Sequence, residues 1–370
     1  MSLFSETKSS IISSQLNSCS TMNVQSMNAR DLNTDTMSTK TIVVTQTLQV
    51  DAPVTVNGKT LVTQGQISIG GTFSDVFLSS DGLTYTLTSN PNTAPVHLFD
   101  GQINAVAGDS QKWIAVENNA PVMGISYTGY SWEAHPSPPP DGCVSVSYLN
   151  NLWHCGTVDG LYYSTDGLTW TQTTGSNVGS SVRSIAYAQG KWVATGNGIP
   201  SQAYSLDGIK WFPGQGSNLT FGGFSVAGNE NVFVANGYGD PALMVISSDG
   251  ITWTAPQTPP ASTFGYSVAS NTAGDMIVAI GEQTAPGGSV HYSTNGSVWT
   301  NAGVANFRGN VVAFDGVKFV IGGLNQAGNQ VRVGISYDGI HWFTNDINVA
   351  VGERINCIGV NSSRGFVTLN

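Results

Sequence analysis

The chain has 370 residues, a formal net charge of −10, 10% charged residues and 40% hydrophobic residues. That length suffices for one large domain with an appendage, and the hydrophobic content predicts a folded rather than a disordered chain. The acidic balance argues against a nucleic-acid partner, which would need basic patches, and no apolar run is long enough to span a membrane.

The first part of the chain, residues 1–65, is rich in Ser, Thr, Asn and Gln. Its first 20 residues lack the apolar core of a signal peptide. An apolar residue then recurs every five positions, at Met22, Met27, Leu32, Met37 and Ile42. Alternating stretches follow at residues 42–50 and 54–62. One copy of such a segment cannot bury enough apolar surface to fold alone, whereas several chains wound together could.

This texture resembles the β-structured stalks of viral and phage fibre proteins, which are commonly trimers that carry a globular head. The resemblance implies a homo-oligomer, expected to be a trimer, formed through residues 1–65. The alternative is a polar leader followed by a strand that lies on the main domain. Low charge, many Ser, Thr and Asn residues and the absence of a targeting signal favour a virion component that is made in the host cytoplasm.

From residue 66 onward, one seven-residue motif recurs seven times, with Ser-x-Asp-Gly-x-x-Trp as its commonest form. The third position is Asp81, Thr128, Asp166, Asp207, Asp249, Asn295 and Asp338. The closing aromatic is Tyr85, Trp132, Trp170, Trp211, Trp253, Trp299 and Trp342. Successive third positions are 47, 38, 41, 42, 46 and 43 residues apart. That period suits the four strands of a propeller blade.

Asp-Gly or Asn-Gly between two alternating arms predicts a tight hairpin, here of type I′, in which both central residues have positive φ. The Ser hydroxyl and the Asp carboxylate can bond backbone N–H groups around the turn, and the closing aromatic is expected to pack between neighbouring blades. A second hairpin lies upstream of each turn, as in residues 103–116 and 184–196. No segment keeps a 3.6-residue apolar period, so almost no helix is expected.

The end of the chain predicts how the propeller closes. Residues 355–370 align without gaps to residues 103–118 and would supply the two inner strands of a blade whose outer hairpin is residues 76–87. Sharing one blade between the two ends would hide the edges of an open sheet. We therefore predict an all-β fold, with a seven-bladed β-propeller over residues 66–370 and an extended β-rich stalk or anchor over residues 1–65.

The repeated motif resembles the Asp box of BNR-type propellers, which occur in sialidases, sortilin-like receptors, xyloglucan hydrolases and photosystem assembly factors. The resemblance covers about residues 66–370, although the box is one residue shorter here between Asp and Gly. It implies that the boxes are structural and lie away from the ligand-binding face. The acidic residues of the motif are then fold residues and not catalytic ones.

Two sets of inner-strand residues are candidates for function. Aligned on the core, one position is Ser or Asn in every repeat: Asn104, Ser145, Ser184, Ser225, Ser267, Asn310 and Asn356. This ring is predicted to join blades by hydrogen bonds or to line a channel, and the structural use is favoured. Arg183, Arg308 and Arg354 stand at or just before the starts of inner strands, as the carboxylate-binding arginines of sialidases do. The loop residues Tyr238 and Tyr130 could stack on a sugar ring.

The sequence offers no catalytic or metal-binding constellation. Carboxylates outside the motif form no evident pair for glycoside hydrolysis, and the His and Cys residues show no metal-ligand spacing. The Arg-Ile-Pro motif that sialidases carry near the first blade is absent. A disulfide between Cys143 and Cys155 is conceivable, but reduced cysteines that fill the core are favoured.

We therefore expect a non-enzymatic viral fibre or surface protein that needs no cofactor or metal. Its propeller head would mediate attachment to a host-surface glycan or protein, or assembly with other virion proteins. One alternative is a cellular Asp-box scaffold propeller for protein assembly. The other is a sialidase-like or other glycoside hydrolase.

Overall fold

The computed structural model of the protein consists of β-strands joined by turns, and the all-β prediction is confirmed for the residues that it describes. These are residues 98–347 with short gaps, Ile355, Asn356, and the strands outside that range whose bounds follow. Within this part of the chain there is no helix that could cross a membrane. The chain divides into two compact units, Met1–Gln64 and Gly65–Asn370.

The first unit contains two pairs of strands. They are β1 (Thr21–Asn28), β2 (Thr41–Gln49), β3 (Val54–Val56) and β4 (Lys59–Leu61). Strands β1 and β2 pair in parallel, with Met22 opposite Ile42 and Met27 opposite Leu48. Strands β3 and β4 form an antiparallel hairpin. Two residues of the five-residue apolar spacing, Met22 and Met27, therefore lie on strand β1.

The second unit contains six blades, each built from strands that follow one another in sequence. Three strands precede them: β5 (Ile67–Gly70), β6 (Val76–Ser79) and β7 (Thr86–Leu87). Blade 1 comprises β8 (Ile103–Gly108), β9 (Trp113–Glu117), β10 (Met123–Ser126) and β11 (Glu133–Ala134). Blade 2 comprises β12 (Cys143–Leu149), β13 (Leu152–Thr157), β14 (Leu161–Ser164) and β15 (Thr171–Gln172).

The next two blades carry an additional short strand. Blade 3 comprises β16 (Thr174–Gly175), β17 (Ser180–Ala188), β18 (Lys191–Asn197), β19 (Gln202–Ser205) and β20 (Lys210–Pro213). Blade 4 comprises β21 (Gln215–Gly216), β22 (Gly223–Gly228), β23 (Phe233–Gly237), β24 (Met244–Ser247) and β25 (Thr252–Trp253). The additional strands, β16 and β21, pair in parallel with β20 and β25.

The last two blades are four-stranded. Blade 5 comprises β26 (Ser262–Ser270), β27 (Ile277–Gln283), β28 (Val290–Ser293) and β29 (Thr300–Asn301). Blade 6 comprises β30 (Arg308–Phe314), β31 (Phe319–Leu324), β32 (Val331–Ser336) and β33 (Phe343–Ile347). The innermost strands of blades 1 to 6 are β8, β12, β17, β22, β26 and β30, and those of neighbouring blades in this series contact each other.

The prediction of seven blades is wrong, because the structure has six. The tail strands β34 (Ile358–Asn361) and β35 (Phe366–Leu369) form a hairpin, and β6 pairs with β7 as predicted. These two hairpins do not complete a four-stranded antiparallel blade, because β5 lies between them and pairs in parallel with β35. The result is a five-stranded mixed sheet. Sequence comparison could not reveal β5, since its four residues carry no feature of the repeat.

The hydrophobic core lies between adjacent blades. One cluster joins Val193 of blade 3 to Phe233 and Trp253 of blade 4, and another joins Leu161 of blade 2 to Trp211 of blade 3. The tryptophans that close the motif are therefore part of the packing between blades. Among them Trp132, Trp211, Trp253 and Trp299 are buried, and Trp170 and Trp342 are half-buried.

The motif turns are held by side-chain hydrogen bonds. Ser164 Oγ accepts the N–H of Gly167 at 2.8 Å and donates to Asp166 Oδ1 at 2.8 Å. Asp166 Oδ1 also accepts the N–H groups of Leu168 and Thr169, both at 2.8 Å. The same arrangement recurs around Asp207, Asp249, Asn295 and Asp338. In the motif turn of blade 5, the uncharged amide of Asn295 therefore accepts the hydrogen bonds that a carboxylate accepts in the other turns.

The type I′ geometry predicted for the motif is wrong in these five turns. Only the glycine has positive φ, for example +69° at Gly167, whereas the preceding Asp or Asn does not. The carboxylate or amide oxygen that accepts two following N–H groups fixes this different geometry. Positive φ at two successive residues occurs instead at Asn150-Asn151 and Gln189-Gly190, in the inner hairpins of blades 2 and 3.

Cys143 and Cys155 form a disulfide across β12 and β13, with their Cα atoms 5.9 Å apart. The favoured prediction that both residues are free thiols is therefore wrong, although both do lie in the core between blades 1 and 2. The antiparallel hairpin brings the two positions together, a proximity that the spacing in the sequence does not disclose.

Candidate ligand-binding face

The strand order divides the propeller into two faces. In each blade the innermost strand begins beside the end of the strand that pairs with it, which is also where the next strand begins, as β17, β18 and β19 illustrate. We call this end the mouth face. The motif turns and the inner hairpin turns lie on the opposite face. The predicted loop residue Tyr238, which follows β23, belongs to the mouth face.

The predicted ring of polar inner-strand residues joins blades through hydrogen bonds. Ser145 Oγ donates to the carbonyl of Val182 in the next blade at 2.7 Å. Ser267 Oγ accepts the N–H of Val312 at 3.1 Å and donates to its carbonyl at 3.2 Å. Ser184 and Ser225 make equivalent contacts with the following blade. These serines are therefore engaged in the fold.

Two asparagines that the sequence assigned to this ring lie one position away from it. Ile103 pairs with Glu117 and Ala105 with Val116, so Asn104 is the extra residue of a β-bulge. Asn310 has the same place in blade 6, although its side-chain amide still donates to the carbonyl of Ile355 at 3.2 Å. A gapless alignment could not detect the offset, because Ser and Asn stand at adjacent positions of similar strands.

Every one of the six blades has such a bulge near the start of its innermost strand. From blade 1 to blade 6 the bulged residues are Asn104, Val144, Arg183, Phe224, Tyr266 and Asn310. A bulged residue has no partner in the strand ladder. Pairing within the sheet therefore does not prescribe the chemistry of this side chain, and the residue types differ among the blades.

The bulges of blades 3, 4 and 5 place an arginine and two aromatic residues on the innermost strands of three successive blades. The guanidinium carbon of Arg183 lies 5.1 Å from the centroid of the Phe224 ring, within the range of a cation–π contact. Arg183 is exposed, Phe224 is half-buried and Tyr266 is 37% exposed. Desolvation lowers the pKa of Arg183 from its ordinary value, but the group stays charged at neutral pH. Sequence reasoning singled out Arg183 and missed both aromatic residues, because a bulge leaves no signature in sequence.

Tyr238 lies beside the same group of residues. Its N–H donates to the carbonyl of Gly222 at 3.1 Å, and Gly222 precedes the innermost strand of blade 4. The tyrosine is 42% exposed. A side chain at Gly222 would meet Asn197 Oδ1 at 2.3 Å, so the end of β18 also approaches this point. The structure thus places Tyr238 and Arg183 on the mouth face of adjacent blades.

The other predicted site residues do not join this group. Arg308 is exposed at the start of β30, two residues before the bulge of blade 6 and three blades away from Arg183. Asp81, Arg354 and Tyr130 lie outside the described residues. No cluster of potential metal ligands occurs in the described part of the chain.

Two buried histidines connect blades through the motif turns. His135 Nε2 and His154 Nε2 each lie 2.8 Å from a carbonyl of the following blade, that of Gly167 and that of Gly208. Burial lowers the pKa of His154 to about 4, and the hydrogen bond to Gly208 offsets only part of this effect. Both histidines are therefore neutral parts of the core at neutral pH.

A small cavity between blades 4 and 5 is the other polar feature near the mouth face. It has a volume of about 10 Å³ and is lined by Asn236 and His291, both buried. Asn236 Oδ1 and His291 Nδ1 have no hydrogen-bond partner among the described residues. The space admits one water molecule with two polar partners, so it is too small for an organic ligand.

The comparisons with known proteins agree with this architecture. No protein-family model matches the chain, and no curated protein matches its sequence. The virginiamycin B lyase of Staphylococcus aureus superposes with a TM-score of 0.52 at 12% identity, covering 70% of this chain and 88% of its own. The WD40 repeats of RRP9 give a TM-score of 0.53 at 12% identity, covering 72% and 86%. Neither likeness supports the Asp-box or stalk resemblance. They concern the fold alone, and with the six blades they show that the main body of the chain is a β-propeller.

Proposed function

We propose that the protein is a non-enzymatic recognition protein, the head of a viral fibre or virion surface protein, and that its mouth face attaches to a host-surface glycan or protein. The observation that carries the proposal is the row of Arg183, Phe224 and Tyr266 on the bulges of three successive blades. Binding residues commonly stand on a rigid scaffold of this kind.

The residues that recur among the blades have structural roles. Serines of the innermost strands join blades, and motif carboxylates close turns. The Asp-box resemblance supports that structural role. At the bulges the fold leaves the side chain free to differ, and blades 3 to 5 carry Arg and aromatic residues there. Arginine and tyrosine are enriched among the residues that dominate binding energy.

In this proposal residues 1–65 form a trimeric stalk or anchor that joins the head to other virion proteins. The support is the polar composition and five-residue apolar spacing of that segment, together with its separation as the compact unit Met1–Gln64. We expect the full-length chain to sediment as a trimer and a chain that begins at Gly65 to sediment as a monomer. If both chains sediment as monomers, residues 1–65 do not form a trimeric stalk, and a cellular scaffold propeller is favoured instead.

Binding of the full-length protein to host-cell surfaces tests the use of the mouth face. Tyr266→Ala removes an exposed aromatic ring from that face, and we expect it to weaken binding about tenfold. The matched control is Tyr337→Ala, which removes a tyrosine that is 64% exposed in a motif turn on the opposite face. Weakening by the control alone, or no effect of Tyr266→Ala, would count against the proposal.

A further inference from the structure

Four asparagines of the chain are each followed by a glycine: Asn57, Asn197, Asn236 and Asn295. Asparagine is one of the thermolabile residues of proteins. It is most labile before glycine, because no side chain hinders the approach of the following backbone nitrogen to the side-chain amide carbon. Three of the four pairs lie in the described part of the chain, where the structure shows what engages each backbone nitrogen.

Two of these pairs are held by hydrogen bonds. Asn236 is buried, its Nδ2 donates to the carbonyl of Ser267 at 3.0 Å, and the N–H of the following glycine donates to the carbonyl of Leu243 at 3.0 Å. In the motif turn of blade 5, the N–H of the glycine after Asn295 donates to Ser293 Oγ at 2.9 Å. In both pairs the backbone nitrogen that would attack the amide carbon is therefore already engaged.

The pair of Asn197 and Gly198 is different. Asn197 is the half-buried last residue of β18, and Gly198 is exposed in the loop that follows, on the mouth face. Gly198 has a φ of +96°, a conformation that favours glycine. Within the described ranges of the chain, neither the side chain of Asn197 nor the N–H of Gly198 has a hydrogen-bond partner. The backbone nitrogen is thus free to approach the amide carbon.

From this contrast we infer that Asn197 is a deamidation site, whereas Asn236 and Asn295 keep their amides in the folded protein. The backbone nitrogen of Gly198 forms a bond to Cγ of Asn197, and the bond from Cγ to Nδ2 breaks. Ammonia leaves with the proton of the attacking nitrogen. Water then opens the cyclic imide at one of its two carbonyl groups, which gives aspartate or isoaspartate. Water is the sole co-reactant, and nothing is oxidised or reduced.

The product adds a negative charge to the mouth face, because an aspartate carboxyl group is ionised at neutral pH. Asn197 Oδ1 lies close to Gly222, whose carbonyl accepts the N–H of Tyr238. Arg183 is the bulged residue of β17, which pairs with β18 up to Asn197. The new carboxylate therefore appears at the end of the hairpin that carries the exposed guanidinium. This modification site is independent of the proposed recognition function.

Peptide mapping by mass spectrometry tests the inference with the folded, full-length protein, incubated in warm, mildly alkaline buffer. We expect the peptide that contains Asn197 to gain the mass of an amide-to-acid change at least about tenfold faster than the peptides of Asn236 and Asn295, a factor that one hydrogen bond can provide. The matched control is the same protein unfolded in urea. There all three asparagines should react at similar rates, because no hydrogen bond holds the backbone nitrogen.

Two variants give a second readout by anion-exchange chromatography. The unchanged protein should develop a later-eluting peak that coincides with Asn197→Asp, and Asn197→Gln, with its longer side chain, should not develop it over the same time. Equal rates at the three asparagines of the folded protein would overturn the inference. So would an Asn197 that stays intact in the folded protein while the urea-unfolded protein reacts, or a new peak that also forms in Asn197→Gln.

Discussion

The carboxylate of Asp166 illustrates what a single residue of the motif contributes. The N–H groups of Thr169 and Leu168 hold the pKa of Asp166 at about 2, below its ordinary value of 3.8. Because the folded-state pKa is the lower one, the charge stabilises the fold fully above pH 3.8, and this contribution is lost as the pH falls towards 2. Asn295 makes the same hydrogen bonds without a charge.

Replacement of Asp166 should separate the hydrogen bonds from the charge. We expect Asp166→Asn to fold normally at pH 7 and to lose less stability than the unchanged protein when the pH falls from about 4 to about 2. Asp166→Ala removes the acceptor and should cost about 1 kcal/mol at pH 7. Urea unfolding at a series of pH values measures both effects. The same acid dependence in Asp166→Asn would show that this carboxylate does not govern it.

His154 should govern stability in a higher pH range. Burial lowers its pKa from 6.5 to about 4, so below pH 6.5 the unfolded chain takes up a proton that the folded chain refuses. Stability therefore falls as the pH drops from 6.5 towards 4, by about 3 kcal/mol in all. His154→Gln, which can still donate to Gly208, should remove this loss in thermal unfolding curves. His341→Gln, at an exposed position, is the control that should keep it.

Between neighbouring strands of different blades, hydrogen bonds from serine side chains link sheets that are otherwise separate. Ser267 Oγ both accepts from and donates to the backbone of Val312 in the next blade. We expect Ser267→Ala to cost about 1–3 kcal/mol in the free energy of unfolding, because the buried N–H of Val312 loses its partner. Ser248→Ala, at an exposed turn position, should change it little. Equal unfolding free energies for the two variants would contradict this role.

Sequence predicted the hairpins and the positions of their turns, because Gly and Asn mark turn positions and alternating apolar residues mark strands. The sequence did not predict the turn geometry or the bulges, because both depend on hydrogen bonds that the residue types alone do not indicate. The motif turn differs from type I′ because Asp166 Oδ1 accepts two N–H groups. The bulges at Arg183, Phe224 and Tyr266 were invisible for the same reason, so sequence identified one of the three residues of the candidate site.

At the scale of the whole molecule, sequence predicted a propeller and miscounted its blades. Seven motif copies suggested seven equal sheets. The copy at Asp81 instead belongs to the stretch between β6 and β7, and these strands join a mixed sheet through the parallel pair of β5 and β35. Counting turns measures how often a hairpin recurs, but it cannot show which strands pair. The disulfide between Cys143 and Cys155 was considered from the sequence but not favoured, because it depends on pairing across β12 and β13.

We propose that one face of this propeller recognises a ligand and that the other maintains the fold. Hydroxyl-radical footprinting of the full-length protein, free and bound to host-cell surfaces, tests it directly, because the radical oxidises exposed aromatic side chains. We predict that binding protects Tyr266 and Tyr238 and leaves Tyr337 and Tyr127, which are 64% and 63% exposed on the opposite face, as reactive as before. Protection of Tyr337 and Tyr127 with Tyr266 and Tyr238 unchanged would contradict the claim.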